Sequence, residues 1–304
     1  MKRCIIAILL SLAAASAWLQ ASSAPQHAER LRALALQRAS VQGVEIAFRD
    51  IGDAQAPVVL MVMGLGGSHI LWGDGLPFEL VDAGYRVIVF DNRDVGASPK
   101  FDAWGEPTLW WQFLKLEFGF EVDAPYDLGD MAGDAVGLLD ALSIESAHVV
   151  GASMGGMIAQ VIAARYPERT RSLVSIMSTP GFADDLPESS PEAGESLDGL
   201  ARGESDAART ERMHAIGTYP EAMPRQIMAI MKSGDRRGEV STISVPTLVL
   251  HGADDGLIPP RHGEFTAELI EGARFVVFEG MGHNLPEEVM PEIVSNMLAH
   301  LSAG

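Results

Sequence analysis

The sequence predicts an α/β fold with a mostly parallel, doubly wound sheet and a small helical cap insertion. Short apolar runs alternate with helix-like segments along the 304 residues, which is the pattern of a parallel sheet covered by helices on both faces. One of these runs opens into a glycine-flanked serine turn that leads into a helix. The alternation stops between residues 180 and 239 and then resumes, which indicates an insertion.

The predicted strands are short and lie between Gly, Pro and Asp residues. Residues 44–51 alternate in polarity and can form an edge strand, whereas the continuous apolar runs suit strands buried on both faces. Those runs are residues 57–63, 86–90, 147–150, 172–176, 246–250 and 274–278. Helical patterns occupy residues 71–83, 128–142, 156–166, 262–270 and 287–301.

The stretch between residues 180 and 239 contains no convincing strand. Residues 184–205 are rich in Pro, Gly, Ser and acidic side chains, and helical patterns surround residues 209–216 and 222–231. We interpret this stretch as a cap over the carboxyl edge of the sheet, where open α/β sheets bind their ligands. The expected division is a signal peptide at 1–24, a core at 25–179 and 241–304, and the cap at 180–240.

The amino terminus has the composition of a secretory signal. Lys2 and Arg3 precede an apolar run at residues 5–15, and small residues that suit a cleavage site follow. The run is too short for a typical membrane span. We therefore expect a secreted or periplasmic protein, with an uncleaved N-terminal anchor as the alternative. Cleavage would remove Cys4, the only cysteine, and leave a chain without thiol chemistry.

The charge balance limits the partners of the protein. Hydrophobic residues make up 47% and charged residues 21%, which is ordinary for a globular chain. The formal net charge of -19 is unusual. An acidic surface repels nucleic acid and anionic membranes, and its simplest role is solubility. The oligomeric state stays open at this point.

The most informative segment is Gly151-Ala152-Ser153-Met154-Gly155, which follows an apolar strand and precedes a helix. A sharp strand-to-helix turn lifts the serine hydroxyl above the sheet, and glycines two residues before and after it leave room for the backbone. The N-terminus of the helix then offers free N–H groups to a developing oxyanion. The pattern therefore predicts that Ser153 is a nucleophile.

Two further segments follow predicted strands. Gly64-Leu65-Gly66-Gly67-Ser68 lacks the Gly-Lys-Ser/Thr of a phosphate loop. Asp91-Asn92-Arg93-Asp94-Val95-Gly96-Ala97-Ser98 follows the run at 86–90. Together with the serine turn, these segments resemble the α/β-hydrolase superfamily, from about Val44 to the C-terminus. Within it, the chain resembles the aclacinomycin methylesterase-like and proline iminopeptidase-like esterases and the cofactor-free haloperoxidases.

The resemblance implies an α/β-hydrolase fold and an oxyanion hole made by the backbone N–H groups of Leu65 and Met154. Met63 stands where the family usually has a histidine before the first glycine of this turn. The donors are backbone groups, so this departure leaves them in place, although it can alter how the loop is held.

The segment at residues 91–98 also departs from its family pattern, which is Asp-x-Arg-Gly-x-Gly-x-Ser. Asp94 replaces the first glycine of that pattern. We expect Asp91 and Arg93 to fix this loop by hydrogen bonds rather than to take part in the chemistry.

A serine hydroxyl is a poor nucleophile at neutral pH, so it needs a base and an acid that orients the base. In the family the chain order is Ser, then Asp or Glu, then His. Eight histidines are present. His283 satisfies this order and lies in a glycine-rich loop just after the predicted strand at 274–278. It is the predicted base.

The predicted acid lies after the strand at 246–250. The family motif Gly-x-x-Asp-x-x-x-Pro selects Asp255 through Gly252 and Pro259. Its neighbour Asp254 is expected to point elsewhere, and His251 is expected to be a packed loop residue.

These residues predict a serine hydrolase that cleaves a carboxylic ester of a small or medium apolar molecule through an acyl-enzyme. Haloperoxidase or perhydrolase chemistry, aminopeptidase activity and a hydrolase-fold binding protein are the alternatives. No cofactor is expected, and no metal, because ligand spacings such as His-Glu-x-x-His do not occur. Aromatic residues crowd residues 104–126, where they can form a lid, wall an acyl pocket or pack in a surface helix.

Overall fold

The computed structural model describes residues 28–105, 107–181, 186–190 and 207–303. The predicted signal peptide at 1–24 lies outside the described residues, as does most of the acidic stretch at 184–205. Within the described ranges, no helix has both the length and the apolar character needed to cross a bilayer.

The described residues form one eight-stranded sheet. Its strands are β1 (Gln37–Val41), β2 (Val44–Ile51), β3 (Val58–Val62), β4 (Arg86–Phe90), β5 (Ala147–Ala152), β6 (Thr170–Ile176), β7 (Thr247–Gly252) and β8 (Arg274–Phe278). They lie in the order β1-β2-β4-β3-β5-β6-β7-β8. The β1–β2 and β2–β4 pairs are antiparallel, and the other neighbouring pairs are parallel. The predicted mostly parallel, doubly wound sheet is confirmed.

The edge of this sheet differs from the prediction. The strand expected at the edge, Val44–Ile51, lies between β1 and β4. β1 is mostly polar and exposed, so it has no apolar run to mark it in the sequence. It is joined to β2 by Gln42 and Gly43, which have φ angles of 48° and 80°. Two residues at positive φ form the tight hairpin turn that matches the twist of paired strands.

Helices flank the sheet. In the described part of the chain they are α1 (Glu29–Ala33), α2 (Gly75–Asp82), α3 (Leu109–Glu117), α4 (Leu128–Ala141), α5 (Met154–Arg165), α6 (Ala207–Ile216), α7 (Met223–Ser233), α8 (Arg237–Val240), α9 (Arg261–Leu269) and α10 (Met290–Leu301). Two begin later than predicted. A positive φ of 65° at Gly73 separates α2 from a 3-10 turn at His69–Trp72. Pro291 suits the first turn of α10, because proline lacks the N–H that a helix interior needs.

The central strands are buried on both faces and separate two cores. In β3, Val58, Leu60 and Val62 belong to the core that includes α4 and α5. Val59 and Met61 belong to the core that includes α1, α2 and α10. Side chains alternate across a strand, so a strand between two helical layers needs apolar residues at every position. This explains why β3 is a continuous apolar run.

The described helices of the insertion between β6 and β7 are α6, α7 and α8, whereas its described residues 186–190 form neither helix nor strand. Buried residues of α7 pack into the same core as α4 and α5. An isolated β-bridge also joins Thr218 of the insertion to Gly67, next to the end of β3. The insertion thus touches the edge of the sheet where the predicted site lies. The boundaries of the cap at 180 and 240 stay a prediction.

Candidate active site

Ser153 occupies a strained turn between β5 and α5. Its φ is 57° and its ψ is -122°, a region that residues other than glycine rarely adopt. Two bonds hold it there: the Ser153 N–H donates to the Ile176 carbonyl at 2.9 Å, and the Ser178 hydroxyl donates to the Ser153 carbonyl at 2.9 Å. The turn therefore keeps the serine side chain at the carboxyl edge of the sheet.

The glycines on either side of Ser153 are required by close backbone packing. A Cβ on Gly151 would lie 2.1 Å from the carbonyl oxygen of Gly155. A Cβ on Gly155 would lie 2.1 Å from the carbonyl oxygen of Val62 in the neighbouring strand. The spacing of glycines around the serine thus reflects how tightly α5 crosses β3 and β5.

The three predicted catalytic side chains meet in one hydrogen-bonded chain. His283 Nε2 lies 2.9 Å from Ser153 Oγ, and His283 Nδ1 lies 2.8 Å from Asp255 Oδ2. A carboxylate can only accept, so the neutral imidazole carries its proton on Nδ1 and presents the Nε2 lone pair to the serine hydroxyl. This is the arrangement in which a histidine can remove the serine proton.

Asp255 is buried and held by several donors. Its Oδ1 accepts from the backbone N–H groups of Leu257 and Ile258, each at 2.9 Å. His251 Nε2 lies 3.3 Å from its Oδ2. Burial alone would raise the pKa of Asp255, but His283 and His251 oppose this effect and hold the pKa well below its usual range. The Asp255 carboxylate is thus ionised and faces the imidazole of His283, whereas Asp254 is exposed.

The loops that carry Asp255 and His283 are packed backbone to backbone. A Cβ on Gly252 would lie 2.1 Å from the Met281 carbonyl oxygen, so only glycine allows the two loops to touch. The N–H of Asp254 donates to the same carbonyl at 3.0 Å. This contact between the end of β7 and the loop after β8 brings Asp255 and His283 together.

The predicted oxyanion donors lie beside the serine. Residues 64–68, here called the oxyanion loop, contain a turn in which the Gly67 N–H donates to the Gly64 carbonyl at 3.1 Å. Gly66 supplies its positive φ of 65°. The N–H of Leu65 takes no part in that turn bond, and Leu65 lines the same cavity as Ser153. Met154 is the first residue of α5, so its N–H has no intrahelical acceptor.

The two positions that depart from the family pattern are both hydrogen-bonded, Met63 through its backbone carbonyl and Asp94 through its side chain. Asn92 Nδ2 donates to the Met63 carbonyl at 2.8 Å and so ties the end of β3 to the next loop. Asp94 has a φ of 78° and is fully buried. Both of its oxygens accept from Arg225 of α7, at 2.6 and 2.8 Å, and the Tyr126 hydroxyl donates to it at 2.8 Å.

Asp91 and Arg93 have the structural roles expected of them. Arg93 donates two hydrogen bonds to the carboxylate of Asp134, from Nε at 2.6 Å and from Nη2 at 2.7 Å. Asp91 accepts from the Ala97 N–H at 2.7 Å within its own loop. It also accepts from His69 Nδ1 at 2.6 Å. That second histidine–aspartate pair is not positioned as a base, because Arg49 Nε donates to His69 Nε2 at 2.9 Å.

An apolar cavity opens onto Ser153 and His283. Its lining consists of Met63, Gly64, Leu65, Gly67, Leu71, Ala152, Ser153, Met177, Leu257 and His283. The aromatic residues of segment 104–126 are not part of this lining. Trp110, Phe118 and Phe120 are exposed, whereas Phe113 and Tyr126 pack in the core. Among the described residues, this segment is therefore a surface helix with its flanking turns, and its aromatic side chains do not line the cavity.

Comparison with known proteins identifies the class. A family model described as alpha/beta hydrolase fold matches residues 57–208, half of the chain. The chain is similar to the rhodomycin D methylesterase DauP of Streptomyces sp. (strain C5), with 29% identity over 83% of this chain and 93% of that protein. It is similar in structure to a hydrolase from Pseudomonas aeruginosa PA01, with a TM-score of 0.67 and 24% identity over 88% of this chain and 99% of the other. The enol-lactonase from Burkholderia xenovorans LB400 gives a TM-score of 0.65 and 24% identity, over 88% and 100% of the two chains.

The fold and these relatives define a hydrolase enzyme with an α/β sheet. The chain belongs to the α/β-hydrolase fold family, and the resemblance inferred from its motifs is confirmed.

Some residues around the site were not found in the sequence. Asn92 and Gln226 bond to the backbone on either side of the predicted donor Leu65, and Arg225 bonds to Asp94 in the loop at 91–98. None of the three lies in a motif that assigns it such a role. The one available signal was the replacement of a family glycine by Asp94, because a buried carboxylate requires a partner.

Proposed function

We propose that this hydrolase cleaves carboxylic esters of small or medium apolar molecules, with Ser153 as nucleophile, His283 as base and Asp255 as the acid that orients the base. The observation that carries the proposal is the unbroken hydrogen-bond chain from Ser153 to Asp255 beside an apolar cavity. The methylesterase among the relatives supports an ester as the substrate class.

The reaction proceeds in two steps of acyl transfer. His283 Nε2 takes the hydroxyl proton as Ser153 Oγ attacks the ester carbonyl, and ionised Asp255 stabilises the resulting imidazolium. The N–H groups of Leu65 and Met154 donate to the oxyanion. When the tetrahedral intermediate collapses, His283 gives the proton to the leaving alcohol. Water then attacks the acyl-enzyme by the same route and releases the carboxylic acid.

The cavity favours an apolar group on the substrate. Leu65, Leu71, Met177 and Leu257 offer apolar side chains next to Ser153. Each methylene buried against such a wall contributes about 0.8 kcal/mol to binding, whereas a charged group would lose its hydration without a partner.

The central test is the substitution Ser153→Ala. Hydrolysis of p-nitrophenyl acetate, butyrate and octanoate should fall by at least roughly 10⁴-fold, because no nucleophile is left. A fluorophosphonate probe should label the wild type at Ser153, as mapped by peptide mass spectrometry, and should not label the variant. Ser241→Ala removes an exposed hydroxyl elsewhere and serves as the control, with wild-type activity and labelling.

The same panel separates ester hydrolysis from the alternative chemistries. An amino-acid p-nitroanilide reports aminopeptidase activity, and bromination in the presence of peroxide and acetate reports perhydrolase activity. Ester hydrolysis should exceed both. Full activity of the Ser153→Ala variant, or a wild type that the probe does not label, would rule out the proposed mechanism.

A further inference from the structure

The oxyanion loop is hydrogen-bonded to the cap at Gly66 and Ser68. The Tyr219 N–H donates to the Gly66 carbonyl at 2.7 Å, and the Ser68 N–H donates to the Gly217 carbonyl at 2.8 Å. The Gly66 N–H donates to Gln226 Oε1 of α7 at 2.7 Å. A loop that lies next to the nucleophile therefore takes its conformation in part from a segment inserted between two other strands.

Gln226 makes the contact nearest to the predicted donor. It is fully buried, and its amide joins two loops, because Nε2 donates to the Arg93 carbonyl at 3.3 Å while Oε1 accepts from Gly66. The Gly66 N–H belongs to the peptide plane that follows Leu65. Fixing that plane fixes the ψ angle of Leu65, and together with the Gly64–Gly67 turn it sets the direction of the Leu65 N–H.

The residue next to Gln226 fixes the start of α7 on the core. Arg225 is 2% exposed and bonds to both oxygens of Asp94. It also reaches Asp102 at 2.9 Å. Asp94 sits at a positive φ in a place where the family has glycine, and this conformation is costly for a side-chain-bearing residue. In this conformation Asp94 accepts two hydrogen bonds from Arg225. These bonds fix the start of α7 and so place Gln226 beside the oxyanion loop.

We propose that Gln226 is a positioning residue for the oxyanion hole, held in place by the Arg225–Asp94 pair. The cap would then contribute to stabilising the transition state as well as covering the site. This inference rests on the proposed function, since it presumes that the Leu65 N–H receives an oxyanion.

The test is the substitution Gln226→Met, which keeps the length of the side chain and removes both of its hydrogen bonds. The Leu65 donor should lose its alignment, so kcat for p-nitrophenyl acetate should fall by about 10- to 100-fold, with KM nearly unchanged. An aryl trifluoromethyl ketone forms a tetrahedral adduct whose oxyanion occupies the hole, and its affinity should weaken by the same factor. The matching methyl ketone, which resembles the ground state, should bind as before.

The control is Ser233→Ala on the same helix. The Ser233 hydroxyl accepts from the Leu128 N–H at 2.9 Å, so it joins α7 to α4 without touching the oxyanion loop. This variant should melt at a lower temperature and keep the wild-type kcat and inhibitor affinities. Equal losses of kcat in Ser233→Ala and Gln226→Met would mean that any loosening of the cap has this effect, and the positioning role would be wrong.

Hydrogen exchange in the wild type provides a test that does not depend on the folding of a variant. The amide of Gly66 should exchange slowly, and a fully exposed rate there would overturn the inference. Labelling by the fluorophosphonate probe separates the two proposals. If the wild type is labelled at Ser153 and Gln226→Met is labelled at the same rate, the positioning role fails while the proposed function stands.

Discussion

At the scale of single residues, two adjacent residues of the same type can lie in opposite environments. Asp254 and Asp255 are adjacent, yet Asp254 is exposed while Asp255 is buried and receives two backbone N–H bonds. The turn after β7 aims only the second carboxylate at His283. Burial alone would raise the pKa of Asp255, whereas His283 and His251 lower it, so the carboxylate stays charged and can orient the imidazole.

The pair offers a matched test. Asp255→Asn should lower kcat by about 10⁴-fold, because an amide N–H facing His283 Nδ1 favours the wrong tautomer. Asp254→Asn, at the exposed neighbour, should stay close to wild type. Steady-state kinetics with p-nitrophenyl butyrate and a thermal melt of each variant decide this. Comparable activity losses in both variants would show that Asp255 is not the orienting acid.

At the scale of elements, the strand–turn–helix unit around Ser153 depends on close packing of α5 against β3. The crossing of α5 over β3 leaves no space for a side chain at Gly155. A Cβ there would lie 2.1 Å from the carbonyl oxygen of Val62, the last residue of β3, and 2.8 Å from that of Met63. Backbone atoms cannot move aside as a flexible side chain can. The position of Ser153 above the sheet therefore depends on the packing of the whole unit.

We expect Gly155→Ala to disrupt that unit. The methyl group would push α5 away from β3, so the free energy of unfolding should fall by about 3 kcal/mol or more and activity should be lost. Gly75→Ala is the control, because Gly75 is at the start of α2 with open space around its Cα. That change should be neutral or stabilising by up to about 1 kcal/mol. Urea unfolding measures both, and a stable, active Gly155→Ala would contradict the expectation.

At the scale of the whole molecule, the sheet and the helices packed on it contain histidines that do not take part in the proposed chemistry. His148 of β5 is buried, and its Nδ1 lies 2.8 Å from the Ser172 hydroxyl. Burial, with smaller effects of Arg171 and His300, lowers the pKa of His148 from 6.5 to about 4. Burial also lowers the pKa of His262 and of His300. The folded protein thus binds protons at these rings less readily than the unfolded chain does.

This difference predicts acid sensitivity. Between pH 6.5 and about 4, His148 is protonated in the unfolded state and neutral in the folded state. The free energy of unfolding therefore falls as the pH falls, by at most about 1.4 kcal/mol per pH unit. His148→Gln should lose less stability than the wild type between pH 7.5 and pH 5.5, by about 1 kcal/mol. Urea unfolding at the two pH values measures the change. An identical loss in both proteins would show that His148 is not responsible.

Much of the fold could be predicted because its signals are local. β3 is apolar at every position, and Gly151 and Gly155 flank the serine within one turn. β1 could not be predicted, because a polar, exposed edge strand resembles a loop until its partner is known. The aromatic residues around α3 were equally ambiguous, because the presence of an aromatic side chain in the sequence does not indicate whether it is buried or exposed.

The candidate site likewise has features that local sequence predicts and features that depend on the tertiary structure. The sequence by itself determined the family, the strand–turn–helix around Ser153 and the order of the three candidate residues, because the backbone geometry of each segment is set by residues that are neighbours in the chain. Only the tertiary structure decided which loops meet. Gln226 is 160 residues from Gly66, and Arg225 is 131 residues from Asp94. Such contacts depend on how the cap folds back onto the sheet, and no local pattern of side chains encodes that arrangement.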